Sequence, residues 1–341
     1  MTEDGIFSGK GLTGLVNLGN TCYLNTAVQV IGNMHTLNIN INDFVKNKQF
    51  INDKNCLFLK EWNDLRLLMW DKNVVISPNR FKRAIDLISN QKKNDMFIGF
   101  EQNDAIEFLM FLINIFHDTL KIKHNTNFPE EVIILKKRFH TFDNFFNKIH
   151  EEYSQIDALF TVYCKIEYIE TSTNKTLATR YENMYSIDIA LTRLTLEECL
   201  DDFFKPEELN KENDNQYFDD MDKMYKDVIK KTHLFHSSKY LIIQLKRWNF
   251  NLKKNQRIIH YNPNDSLDLE RLYENNILTS KYELFAIINH SGNVGGGHYT
   301  TNIKNGNGRW YNYNDTIIKE LPLNKIVGNK NYCLVYRLMN H

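Results

Sequence analysis

Gly14-Leu15-Val16-Asn17-Leu18-Gly19-Asn20-Thr21-Cys22-Tyr23-Leu24-Asn25 is a polar, turn-prone segment that runs directly into an apolar pattern. Leu24, Ala27, Val28, Ile31 and Met34 stand at i, i+3, i+4, i+7 and i+10, the spacing of one helix face. Thr21 or Asn20 is suited to cap that helix, which sets Cys22 in its first turn. Free backbone N–H groups and the positive end of the helix dipole favour a thiolate there. A small buried hydrophobe is the plainer reading of a cysteine, and it suits Cys56, Cys164, Cys199 and Cys333. Cys22 is the one placed to act as a nucleophile, given a base.

The base is sought in Asn289-His290-Ser291-Gly292-Asn293-Val294-Gly295-Gly296-Gly297-His298-Tyr299-Thr300. A strand ends, a glycine-rich loop follows, and His298 opens the next strand. Gly308-Arg309-Trp310-Tyr311-Asn312-Tyr313-Asn314-Asp315 then reads as a hairpin return. It brings an amide and a carboxylate back beside His298. An imidazole takes the thiol proton, and an Asn or Asp fixes its tautomer and ring plane. Asn17 and the Cys22 backbone N–H are donors for the oxyanion of an acyl intermediate. Trp310 and Tyr311 are read as sheet packing.

Between these stretches, Ala105, Phe108, Leu109, Leu112, Ile113 and Phe116 form one apolar helix face. Asp104 and Glu107 lie together near its start. They complement the helix dipole or form an acidic pocket for a cationic ligand. Leu57–Trp70 and Pro78–Ser89 also read as core helices. From Leu159 the period changes to two. Val162–Tyr168 and Tyr185–Leu191 are expected as two antiparallel strands, turning at Thr171–Lys175. Thr195-Leu196-Glu197-Glu198 is a capping box. Residues 206–227 are acidic, Asn-rich and weakly patterned, as in an exposed insertion or mobile loop. Strands dominate the remainder, at Tyr240–Trp248, Tyr282–Asn289, His298–Lys304, Arg309–Tyr313 and Tyr332–Leu338. Helices first and sheet second predict an α+β fold.

Lys+Arg and Asp+Glu both count 42 in 341 residues, which argues against a general nucleic-acid binder. Five cysteines without a CxxC pair fit a reducing compartment better than a disulfide scaffold. Met1–Lys10 lacks the apolar core of a signal peptide, and no run of apolar residues is long enough to span a membrane. A protein of the cytoplasm or nucleus is expected.

Taken together, these segments resemble the ubiquitin-specific protease family of cysteine deubiquitinases. Gly14 through Asn25, with Gln29, resembles the family's Cys box; His290–Tyr299 with Trp310–Asp315 resembles its His box. Gln102-Asn103-Asp104-Ala105-Ile106-Glu107-Phe108 and Leu241-Ile242-Ile243-Gln244-Leu245-Lys246-Arg247-Trp248 are similar to two further family segments, in family order. The resemblance implies a papain-like fold of helical thumb (about 12–130), extended β fingers (159–237, with the insertion 206–227) and β-rich palm (238–341). It implies hydrolysis of the bond after ubiquitin's last glycine, in ubiquitinated proteins, by a monomer without nucleic-acid or membrane partners. It makes Cys22 the nucleophile, His298 the base, Asn314 its direct partner, Asp315 a second supporting position and Asn17 the oxyanion donor. Asp104 and Glu107 would hold arginines of the ubiquitin tail, which favours the acidic-pocket reading. Tyr23 and Tyr299 would flank that tail, and Gly295 to Gly297 would lie in a loop that moves as it enters. Many members carry two CxxC pairs holding zinc in the fingers. Cys164 has no such partner, so neither zinc nor any other cofactor is expected, and the fingers must hold by pairing and packing. A ubiquitin-binding protein with little catalysis, or a hydrolase for another ubiquitin-like modifier, would share these features.

Overall fold

A computed structural model describes residues 7–47, 54–123, 130–149, 152–273, 281–293 and 296–339. The stretches with helical period fold as expected. After a two-residue strand β1 (Gly14–Leu15), α1 (Cys22–Gly32) begins at the cysteine, and α2 (His35–Asn47) and α3 (Lys54–Asp71) follow. Strand β2 (Val75–Ile76) pairs with β1 in parallel and leads into α4 (Asn79–Lys92) and α5 (Ala105–Leu120). All eleven residues of α1 are buried, polar Asn25, Thr26 and Gln29 included, because the helix lies between α5 and a sheet. Gln29 donates its amide to the Thr13 carbonyl at 2.7 Å, which satisfies one of these polar groups inside the core.

Strands β3 (Ile122–Lys123) and β4 (Glu152–Tyr153) bracket two helices with no counterpart among the expected elements, α6 (Glu130–Arg138) and α7 (His140–Ile149). Phe142 and Phe146 of α7 cover Tyr163, Tyr181 and Phe235. A short helix α8 (Gln155–Phe160) carries a capping box of Ser154 and Asp157.

Next come β5 (Val162–Glu170), β6 (Thr176–Met184) and β7 (Ile187–Ala190). The expected pairing is corrected here. The turn lies at residues 171–175, but β5 pairs with 176–184, and the Ile187–Ala190 segment joins a different sheet. Thr176–Met184 buries one residue, Tyr181, so it has no apolar alternation to read. Beyond α9 (Leu196–Phe203), where the Thr195–Glu198 capping box forms, the chain makes β8 (Glu207–Leu209), β9 (Tyr217–Asp219), β10 (Met224–Lys226) and β11 (Val228–His236). Residues 206–227 are therefore exposed yet ordered: β8 pairs with β11, and β9–β10 form a hairpin. The four-stranded sheet runs β6-β5-β11-β8.

The larger sheet adds β12 (Tyr240–Lys246), β13 (Leu267–Asp268), β14 (Lys281–Asn293), β15 (Gly296–Lys304), β16 (Trp310–Asn314), β17 (Ile317–Leu321) and β18 (Asn331–Leu338). Its order is β17-β16-β15-β14-β18-β12-β7, with β13 on β14. Alternate residues of β12 serve two cores: Tyr240 and Ile242 face the helices, and Leu241, Ile243 and Leu245 face α9 and the segment carrying Ile259. Among the described residues no helix is long and apolar enough to cross a membrane.

Candidate active site

The site forms where β1 and the start of α1 meet the turn between β16 and β17. Leu15 N–H donates to the Asp315 carbonyl at 2.8 Å. Gly14 lies so close to this turn that a Cβ would sit 2.5 Å from the Thr316 carbonyl oxygen, so only glycine fits. The two stretches singled out in the sequence, nearly a chain length apart, are thus stitched together through their backbones.

Cys22 opens α1 and is 5% exposed. Backbone N–H groups of Tyr299, Tyr23 and Cys22 favour its thiolate, while burial and the charge of Asp315 oppose it. Burial is the largest effect, so the thiol is pushed up. The donors at the helix start favour a thiolate, as expected, and desolvation outweighs them. Thr21 occupies the N-cap position, as expected. Thr21 makes no side-chain cap; its hydroxyl accepts from Leu18 N–H at 2.8 Å. Asn17 Oδ1 takes the N–H groups of Gly19 and Thr21, both at 3.0 Å, and shapes the loop before the helix.

His298 immediately precedes Tyr299, whose N–H meets the thiol. Its Nε2 lies 2.7 Å from Asn314 Oδ1. Asp315 does not touch the imidazole. Its carboxylate accepts from Asn17 Nδ2 at 3.0 Å and Asn25 Nδ2 at 2.7 Å. Asn25 was legible only as part of the motif, and its link to Asp315 is a finding of the fold.

Asp104 caps α5. Its Oδ1 accepts from Ile106 and Glu107 N–H at 2.7 and 3.2 Å, and its Oδ2 from the Tyr299 and Tyr332 hydroxyls at 2.9 and 2.7 Å. Burial and then Asp104 push both phenols up, so they remain donors. Glu107 is exposed; burial of its carboxyl and the neighbouring Asp104 raise its pKa. The two acids thus differ: Asp104 is saturated with donors and Glu107 faces solvent. Cys22, Asp104, Glu107, Tyr299 and Gly297 line one cleft of about 420 Å³, together with Gln102, Trp248, His290 and Tyr332. Tyr23 is the exception. It is 1% exposed and packs against Phe97 and Phe108, so it belongs to the core and not to the cleft wall. A helix buried all round shows no face that would separate the two roles. Gly297 N–H donates to Gln102 Oε1 at 3.2 Å, tying the glycine loop to the segment before α5; Gly295 lies outside the described residues. His290, Lys254 and Gln102 join the site only through the fold. His290 and Gln102 stand inside quoted motifs, whereas nothing in sequence marks Lys254.

Among the described residues no group of three or more His, Cys, Asp or Glu side chains is arranged to hold a metal ion.

A family model for ubiquitin carboxyl-terminal hydrolase matches residues 13–336. The chain is 27% identical to human ubiquitin carboxyl-terminal hydrolase 2, over 97% of this chain and 56% of that protein. It is 29% identical to ubiquitin carboxyl-terminal hydrolase Usp2 of Drosophila melanogaster, over 96% and 35%. It thus spans about half or less of those relatives. The fold is similar to a chain of the SAGA Ubp8/Sgf11/Sus1/Sgf73 DUB module bound to ubiquitin aldehyde, with TM-score 0.72 and 20% identity over 97% of this chain and 70% of that one.

Proposed function

The chain belongs to the ubiquitin carboxyl-terminal hydrolase family, and from that premise we propose that it is a deubiquitinating cysteine protease. It hydrolyses the isopeptide or peptide bond after the last glycine of ubiquitin. The observation that carries this reading is the 2.7 Å contact of His298 with Asn314, one residue from the N–H that meets the Cys22 thiol. With Nε2–H donating to Asn314 Oδ1, Nδ1 keeps its lone pair for the thiol proton.

Cys22 Sγ gives its proton to His298 Nδ1 and attacks the carbonyl carbon of the last glycine. Charge on the carbonyl oxygen is met by the Cys22 N–H and by the second hydrogen of Asn17 Nδ2, the first being held by Asp315. The imidazolium returns the proton to the leaving amine, and water, with His298 again as base, hydrolyses the thioester. Asn314 orients the ring without adding negative charge. Asp315 acts through Asn17 and Asn25 as a positioning residue. Glu107 takes a cationic side chain of the entering tail, Asp104 holds Tyr299 and Tyr332 as a wall beside it, and Gly297 leaves room for its backbone.

The substrates are ubiquitinated proteins, met by a monomer in the cytoplasm or nucleus. Equal numbers of cationic and anionic residues support a protein partner over a nucleic acid. The test is turnover of a fluorogenic ubiquitin C-terminal amide, expected for wild type and lost to the detection limit in Cys22→Ala. No turnover by wild type, or unchanged turnover in the variant, overturns the reading.

A further inference from the structure

The cleft is lined by a histidine that this chemistry does not use. His290 lies on β14 opposite Tyr299 and is 4% exposed. Its ring is boxed by Tyr299, Trp248 and Tyr332, with centroids 4.6, 5.7 and 5.8 Å away. Lys254 Nζ donates to the His290 carbonyl oxygen at 2.6 Å and lies 3.0 Å from Nδ1. An ammonium has only hydrogens to offer, so Nδ1 is the acceptor and the single ring proton sits on Nε2. Burial, and then the charge of Lys254, push this imidazole down to about 4, which keeps the ring neutral.

The other end of the ring faces Gly297, where a Cβ would come within 2.2 Å of Nε2. Nε2–H meets no acceptor among the described residues, and His290 and Gly297 both line the cleft that Cys22 lines. The N–H is not sealed from solvent, so it stands open to the cleft, where an acceptor on a bound chain can replace water. Asp104 and Glu107 line the same cleft and disfavour an anion, so a neutral acceptor fits.

We propose that His290 is a substrate-binding residue whose Nε2–H donates to a main-chain carbonyl of the extended peptide end entering the cleft, with Lys254 holding the tautomer. This rests on the reading of Cys22 as the nucleophile of a ubiquitin hydrolase. It assigns Lys254, which lies in the segment between β12 and β13 and touches no reacting atom, a positioning role.

The experiment compares His290→Asn and His290→Gln on the fluorogenic ubiquitin amide. The Asn Oδ1 still accepts from Lys254 but no Nε2–H remains, so KM rises about fivefold, the loss of one neutral hydrogen bond. The Gln amide restores an N–H near the Nε2 position and recovers most of that loss. Lys254→Met leaves the tautomer free and raises KM about twofold. Alkylation of Cys22 by iodoacetamide, measured alongside, stays at the wild-type rate in all three variants. A wild-type KM in His290→Asn, equal impairment in Asn and Gln, or alkylation falling in step with KM overturns the proposal while leaving the hydrolase reading intact. Absence of wild-type turnover overturns both.

Discussion

The junction under Cys22 and the exposed β9–β10 hairpin each hold a turn through one charged side chain that gathers several partners. Their settings are opposite. At the junction, Asp315, with φ of 49°, collects two neutral amides, from Asn17 and Asn25. At the hairpin, Lys226 collects carboxylates: Asp219 at 2.8 Å, Asp222, and Glu170 of β5 at 3.7 Å. The hairpin stands in solvent, with Met221 88% and Tyr225 67% exposed, whereas Asn25 is 3% exposed. Asp219 is itself 7% exposed, but its hairpin pairs only β9 with β10, while an amide deprived of its acceptor at the junction carries its desolvation cost beside the Cys22 helix. Damage at the junction should therefore reach catalysis, and damage at the hairpin should stay local.

The largest effect is expected from Gly14→Ala. Its Cβ would meet the Thr316 carbonyl at 2.5 Å and drive the nucleophile loop away from the turn carrying Asn314. Overpacking of this kind costs about 1–3 kcal/mol. Thermal melts should show that loss, and turnover should fall further because the triad loses its alignment. A variant that melts and turns over like wild type would show that the junction does not position the site.

Asp315→Asn comes next and divides two readouts. An amide facing two amides leaves at least one polar group unpaired, so kcat falls about 10- to 100-fold, corresponding to about 1–3 kcal/mol. The Asp315 charge also helps to push the Cys22 thiol up, so its removal lets the thiol come down. Alkylation of the free enzyme at neutral pH should therefore become faster while catalysis slows. Parallel changes in both rates would contradict the assignment of Asp315 to Asn17 and Asn25.

The smallest effect is expected from Lys226→Met, with kcat unchanged and KM within about twofold of wild type. Its signature is a pH dependence. Hydrogen bonding to Lys226 holds the Asp219 carboxyl below its ordinary value. The folded value is depressed, so this stabilisation is present above about pH 4 and is lost as pH falls through the folded value. Lys226 is raised by the same contacts, so its share is present below about pH 10 and lost at higher pH. Methyl NMR signals of Met221 and Met224 should titrate with an acid midpoint below about 4, and Lys226→Met should bring that midpoint up toward the ordinary Asp value. An unmoved midpoint would mean that Lys226 does not hold the hairpin.

The same contrast explains what could be read in advance. Cys22 and His298 stood out because each sits near a strand or helix boundary marked by local chemistry, while the choice of Asn314 over Asp315 rested on the family resemblance. Asp315 was placed beside them correctly, but its partners were not foreseen: Asn25 lies inside a helix buried on every side, so no periodicity says where it points. Tyr23 failed for the same reason. Thr176–Met184 buries Tyr181 alone and looks like a loop, while Ile187–Ala190 has the expected alternation but pairs in parallel with β12, which only the closed sheet decides. The phenylalanines of α7 do carry a helical period and were within reach. Lys254 was not, because its partner stands on another strand and loop residues have no pattern to betray them.

One feature of the larger sheet bears on how the protein is made. Strand β18, the last described strand in chain order, lies between β14 and β12 in the interior of the sheet. A nascent chain still lacking it holds two unsatisfied strand edges, a template for pairing with other chains. Cys22 leaves the ribosome early, but the larger sheet beside it can close only after β18 has emerged. A chain stalled before Asn331 would hold both edges open.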